Sequence, residues 1–235
     1  MMNPDRGSRM RRAMPMLTVV AMAAALAAPA AASATTVAHW TFDETSGNTV
    51  TDSSGFGNNG TSQNVTQNLD GFTFVPGNPP INPLDRAYGF NGTSSRITVP
   101  ASDSLVPGAE DITLSLYFHS SFHAGNGDFD WDMVKKGGYK IEIYKQKKKE
   151  QARCAFTGSG GKIDFQDGPV LTDGLWHHVV CKKTTAGVTL TVDGIAYPIR
   201  PGNVGTVKAG NELWIGWDQT DFFHGTMDNV QIDIG

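Results

Sequence analysis

From residue 35 onward the chain alternates apolar and polar side chains with a period of two. Ile112, Leu114, Leu116 and Phe118 are interleaved with Thr113, Ser115, Tyr117 and His119. Tyr139, Ile141 and Ile143 alternate with Lys140, Glu142 and Tyr144, and Val188, Leu190 and Val192 with Thr189 and Thr191. That period predicts strands with one apolar face. Shorter candidates are 37–42, 96–99, 151–156, 176–182, 213–216 and 226–232. Turn signals separate them: Asp52-Ser53-Ser54-Gly55, Asn91-Gly92, Gly160-Gly161, Asp173-Gly174 and Asp193-Gly194. Asp193-Gly194 between two apolar runs marks a tight hairpin. No stretch carries the period of a long helix, so the expected fold class is all-β, an antiparallel two-sheet β-sandwich. Pro76, Pro79, Pro80 and Pro83 make 75–84 a surface loop too short to divide domains.

The first residues follow another logic. Arg6, Arg9, Arg11 and Arg12 precede an apolar run from Leu17 to Ala28, closed by Pro29 and the small-residue pattern Ala32-Ser33-Ala34. This describes a secretory signal peptide over residues 1–34, with translation starting at Met1 or Met10. The apolar run falls short of the roughly 20 residues of a membrane span. The expected mature domain is 35–235, secreted, with no second run long enough to insert in a membrane. It carries 15 basic and 22 acidic residues, which offers nucleic acid no general attraction. Export favours a disulfide between Cys154 and Cys181, the chain's only cysteines, over two buried thiols.

The residues also carry a family pattern. His39-Trp40-Thr41-Phe42-Asp43-Glu44, then the turn Asp52 to Gly60, then Ala87-Tyr88-Gly89-Phe90-Asn91-Gly92 are similar to the opening blocks of laminin-G-like domains of the concanavalin A-like lectin/glucanase superfamily. Trp176-His177-His178-Val179-Val180 with Leu190 to Gly194 resembles their most recognisable hairpin. Leu213-Trp214-Ile215-Gly216 and Gly225 to Val230 resemble their closing strands. The resemblance runs over about residues 37–232 and implies a jelly-roll sandwich. It also implies a structural calcium ion where first and last strands meet, with Asp43, Asp52, Asn58 and Asp228 as its ligands. Without a metal the same residues read as turn and capping groups.

The fold hosts lectins, adhesion modules and glucanases alike, so function must come from a site. The glucanase branch would need Glu-x-Asp-x-(x)-Glu on one strand. No two of the five glutamates after residue 34 (Glu44, Glu110, Glu142, Glu150, Glu212) are spaced that way. The nearest imitation, Asp128-Phe129-Asp130-Trp131-Asp132, puts three acids on one face of a strand and two aromatics on the other. It fails as a calcium loop of the EF-hand type, because its sixth position is Met133 and its twelfth Tyr139. It serves either as an acidic rim or as a site that binds calcium, holds a sugar between Asp130 and Trp131, or does acid/base work. Trp40, Trp176 and Trp214 fall in strand blocks and are expected in the core. Trp131 and Trp217 are then the aromatics available to a ligand. Lys145-Gln146-Lys147-Lys148-Lys149 reads as a hairpin tip, solvated or, through Lys147 and Lys148, touching an acidic glycan. The expectation is a secreted non-catalytic module for an extracellular carbohydrate or protein, supported by calcium. A polysaccharide lyase or hydrolase with an unrecognised site and a structural adhesion subunit are the alternatives.

Overall fold

The computed structural model describes residues 33–72, 85–123, 129–147 and 149–235. The expected signal peptide up to residue 32, the whole proline-rich loop 75–84, Asp128 and Lys148 lie outside the described residues.

Two antiparallel sheets face each other. The nine-stranded sheet runs in the order Ile195–Ala196, Gly187–Val192, Trp176–Lys183, Ile112–His119, His224–Ile234, Arg86–Asn91, Thr66–Asp70; Thr35–Trp40 also pairs with His224–Ile234, and Arg200–Pro201 with Gly187–Val192. The eight-stranded sheet runs Gly161–Asp167, Lys149–Gly158, Tyr139–Gln146, Phe129–Lys136, Leu213–Ile215, Arg96–Val99, Gly60–Gln63, Thr49–Val50. A small hairpin, Trp217–Asp218 with Asp221–Phe222, follows Leu213–Ile215. Among the described residues no helix is long and apolar enough to cross a membrane.

Alternation builds the core as the sequence predicts. Ile112, Leu114, Leu116 and Phe118 from one sheet meet Ile141, Ile143 and Phe156 from the other, all essentially inaccessible to solvent. Asp193 (φ 50°) and Gly194 (φ 78°) form the two-residue hairpin between Gly187–Val192 and Ile195–Ala196, a turn that needs positive φ at both positions. Several strands carry no clear sequence signal, among them three of the longer ones. Thr66–Asp70 is polar except for Leu69, Gly60–Gln63 is too short for a pattern, and Gly161–Asp167 has only Ile163 and Phe165 alternating with polar residues.

Cys154, on Lys149–Gly158, and Cys181, on Trp176–Lys183, form the expected disulfide with Cα atoms 5.6 Å apart. The two strands belong to opposite sheets, so the bond staples the sandwich through its core. Bridging a separation of 27 residues stabilises by about 3.5 kcal/mol on chain-entropy grounds. Calorimetry with and without a phosphine reductant should show the reduced protein melting about 10 °C lower. A change under about 2 °C would mean that the packing of the two sheets holds the structure without the bond.

Candidate functional site

The longest strand, His224–Ile234, is shared. Its first half pairs with Arg86–Asn91 through His224 to Met227, and its second half pairs with Thr35–Trp40 through Val230 to Ile234. Between the two partners the register against Ile112–His119 shifts at Asp228–Gln231, with Asn229 at φ 49°. This bulge aims the fully buried Asp228 into the gap. Asp43, just past the end of Thr35–Trp40, and Asp85, just before Arg86–Asn91, flank the same gap.

Asp228 accepts hydrogen bonds from the Phe72 amide at 2.8 Å and the Asn229 side-chain amide at 3.0 Å, and Asp43 accepts one from the Arg86 amide at 2.9 Å. Burial first, then the negative charges of Asp85 and Asp43, push the Asp228 carboxyl up to about 7. Burial and Asp43 likewise raise Asp85, which is hydrogen-bonded to Asp228. Three carboxylates thus act on one another at this junction, although they are not among the acidic groups whose oxygens all lie within 4.8 Å of one another. Asp43 and Asp228, two of the expected ligands, are thus brought together, and Asp85 joins them without any signal in the sequence.

Asp52 and Asn58 are corrected to a structural role. The Asp52 carboxylate accepts from the amides of His39 (3.0 Å), Ser54 (2.9 Å) and Asn58 (2.9 Å). Burial would raise its carboxyl, but these bonds outweigh that and lower it. The Asn58 side-chain amide donates to the Val37 carbonyl at 2.8 Å and to the Ser104 hydroxyl. These bonds hold the turn against the first strand.

The outer face of the nine-stranded sheet is the aromatic one. Tyr117 stacks on His178 (centroids 4.2 Å apart) and on Phe72 (4.2 Å), and Trp176 meets Phe72 edge-on and His119 at 4.8 Å. A cavity of about 500 Å³ opens there, lined by His39, Tyr117, His178, Asn229, Gln231 and Asp85 among others. Its polar groups are held in place. Gln231 donates to Asp233 at 2.9 Å, and Asn229 lies 3.2 Å from the His39 ring nitrogen and bonds Asp228. Burial lowers the His178 imidazole, with Asp193 opposing, and raises the Tyr117 hydroxyl, with Asp228 adding to it.

The outer face of the eight-stranded sheet is ionic. Asp130, Asp132 and Glu142 bring carboxylate oxygens within 4.8 Å of one another, as do Asp132, Asp218 and Asp221. Such groups can hold a metal ion, but here Lys140 takes the centre of the first. Its ammonium lies 3.3 Å from Asp130 and 3.1 Å from Asp132 and contacts Glu142. Arg153 pairs with Glu142 and stacks over the Tyr144 ring, and Lys135 pairs with Asp218. Burial dominates the Glu142 carboxyl and pushes it up to about 8 against its two cations. Burial also opposes ionisation of Asp130, yet its bond to Glu142 and the charges of Lys140 and Arg153 lower it.

The tryptophans exchange roles. Trp131 is 3% exposed and faces the core, so it is corrected from ligand contact to core residue. Trp176 and Trp214 are half-buried on outer faces instead. Trp217 packs against Trp214 (5.0 Å), Phe222 and the Arg96 guanidinium (5.1 Å), which covers much of its ring. Lys147 is exposed at the turn joining Tyr139–Gln146 to Lys149–Gly158. Tyr117 and His178 are not among the expected contacts, yet they have a signal: each sits at a polar-phase position of an alternating central strand.

A laminin-G-type family model, described as concanavalin A-like lectin/glucanases superfamily, matches residues 91–233, more than half of the chain. No curated protein matches in sequence. Among solved structures, domain 4 of an extracellular arabinanase from Geobacillus stearothermophilus, in complex with arabinotriose, is similar with a TM-score of 0.54 and 20% identity, over 86% of this chain and 93% of that one. The binding domain of botulinum neurotoxin serotype D has a TM-score of 0.60 and 13% identity, over 84% of this chain and 48% of that one. Trypanosoma rangeli sialidase has a TM-score of 0.55 and 15% identity, over 84% of this chain and 30% of that one. This chain thus spans about half of the toxin domain and under a third of the sialidase. At such identities the likeness is one of fold. By its family match and its two-sheet architecture, the chain belongs to the concanavalin A-like lectin/glucanases superfamily.

Proposed function

We propose that the protein is an exported carbohydrate-binding module that uses the outer face of its nine-stranded sheet. One observation carries the reading: the Phe72–Tyr117–His178 stack stands in an open cavity beside the fixed amides of Asn229 and Gln231. Tyr117 is held between the other two rings, whose outward faces are the ones to take the C–H side of a sugar ring, while planar amides exchange paired hydrogen bonds with neighbouring hydroxyls. The cavity falls within the size range of small-ligand sites. The arabinotriose complex of the similar arabinanase domain supports a sugar as the partner class. A core disulfide supports an oxidising, extracellular destination.

In this reading Asp43, Asp85 and Asp228 hold a calcium ion at the rim of the cavity, which Asp85 also lines. Calcium would offset two of the three negative charges and fix the meeting of first and last strands. The ionic cluster around Lys140 is structural, because its buried acids are tied to cations rather than presented to a substrate.

The test is a glycan array on residues 35–235, repeated with Tyr117→Ala. Parent protein should bind a defined sugar class, and loss of the stacking ring should weaken that binding roughly tenfold or more, about 1.4 kcal/mol. A blank array for the parent would end the reading. Unchanged binding by Tyr117→Ala, with the variant folded by circular dichroism, would move the site off this face.

A further inference from the structure

The antiparallel register lays the outer face of the nine-stranded sheet out in rows. In one row Trp176 is opposite His119, His119 opposite Thr226, Thr226 opposite Gly89 and Gly89 opposite Thr66. In the next, His178 is opposite Tyr117 and Tyr117 opposite Asp228. A third joins Ser115, Gln231 and His39. The third row and Tyr117 line the cavity already described. From His119 to Thr66 the first row lines a second cavity of about 450 Å³, bounded by Asn91, Phe122 and His224.

The two cavities adjoin. Tyr117 lines one and His119 the other, and they point to the same side of a single strand. Two residues along a strand cover about 6.6 Å, close to the advance of one sugar unit in a polysaccharide. Phe72 stands at the boundary, stacked on Tyr117 and edge-on to Trp176. Gly89 keeps the second floor low, since a Cβ there would meet the Leu69 side chain at 2.8 Å and Thr66 at 3.3 Å.

Charge narrows the ligand further. Asp85 is the only Asp, Glu, Lys or Arg lining either cavity among the described residues. His119, His178 and His224 are all lowered, chiefly by burial, and so favour their neutral forms. The lysines and Arg153 of the ionic cluster lie on the other sheet. Even with calcium bound, the three carboxylates Asp43, Asp85 and Asp228 outnumber the ion's two charges, so a uronate, sialate or sulfate docked here would lose its hydration without meeting a net positive partner.

We infer that the ligand is an uncharged oligosaccharide of more than one unit, lying along Ile112–His119 with sugar rings in both cavities. This rests on the carbohydrate reading above and specifies its charge and length. Titration calorimetry, with calcium and with chelator, tests it on arabinan-, xylan-, β-glucan- and mannan-derived probes from mono- to hexasaccharide. Oligogalacturonate, sialyllactose and heparin are the anionic probes. The second protein is Thr66→Trp, which places an indole in the second cavity from an exposed position.

One neutral series should bind, with affinity rising roughly tenfold or more between its shortest bound member and its longer ones. Thr66→Trp should remove that gain while leaving the shortest ligand unaffected. Tighter binding of an anionic probe would overturn the inference, and so would neutral binding that ignores both length and Thr66→Trp. Either of those outcomes leaves the protein a carbohydrate binder. No binding by any probe removes the carbohydrate reading and this inference together.

Discussion

With calcium chelated, the parent protein should lose stability relative to Asp228→Asn as the pH rises from about 4 to 8. The Asp228 carboxyl stands at about 7 in the folded protein against 3.8 in the unfolded chain. Between those values the folded chain binds the proton and the unfolded chain has released it, so each step upward in pH favours unfolding. The contribution is full below pH 4 and gone above pH 7, and the interval corresponds to about 4 kcal/mol. Asp52, Asp130 and Asp173, whose carboxyls are lowered, give the opposite slope, which is why the comparison is with a variant. The amide introduced by Asp228→Asn would keep an oxygen for the Phe72 N–H and present a permanent N–H to Asp85, mimicking the protonated acid. Thermal melts in chelator should therefore favour Asp228→Asn by about 10 °C at pH 8 and show little difference near pH 4. Calcium should restore the parent at pH 8, do little at pH 5.5, and leave the variant unmoved. Equal melting of the two proteins across the range would show that the carboxylates do not oppose one another. A pH-dependent gap without a calcium response would keep the repulsion and dismiss the cation.

Much of the framework is legible because parity along a strand is a local property. The alternation at 112–119 states which side chains face the core without knowledge of any partner, and the structure places them so. The same parity contained the answer for the misread aromatics. In Asp130-Trp131-Asp132 the acids and the indole must lie on opposite faces. Asp130 and Trp131 therefore could not both line one outer site, and the apolar residue went to the core. Trp176 shares the parity of His178, and both face outward. What parity cannot supply is pairing across the sheet. Asp85 follows a proline-rich stretch with no pattern of its own, and it meets Asp228 only because Arg86–Asn91 lies beside His224–Ile234. Asp52 and Asn58 matched a family block, but the nearest donors to the Asp52 carboxylate are backbone amides of its own turn and of the first strand. Those bonds are set by loop geometry, which residue types alone do not specify.

Lys140→Met should destabilise the protein by about 3–5 kcal/mol at neutral pH, the usual consequence of removing one partner from a buried ion pair. Asp132 is fully buried, and among the described residues its carboxylate oxygens find no neutral hydrogen-bond donor. Its compensation comes from the ammonium groups of Lys140 at 3.1 Å and Lys135 at 3.8 Å. Glu142, equally buried, relies on Lys140 and Arg153. The cluster holds five carboxylates (Asp130, Asp132, Glu142, Asp218, Asp221) against three cations (Lys135, Lys140, Arg153). It therefore has no spare positive charge to cover the loss. Without Lys140 these carboxyls would move up and take protons more readily in the folded state than in the unfolded one. The gap between variant and parent should then shrink as the pH falls toward 5. Melting temperatures across pH 5 to 8 measure it, with an expected drop of about 10 °C at pH 7.5. Adding Asp132→Asn to Lys140→Met should recover part of that drop, because it removes the buried charge that Lys140 had faced at 3.1 Å. A loss below about 1 kcal/mol, or one constant with pH, would mean that water reaches Asp132 and solvates it. Lys140 would then be a surface lysine beside acids rather than the centre of the ionic face.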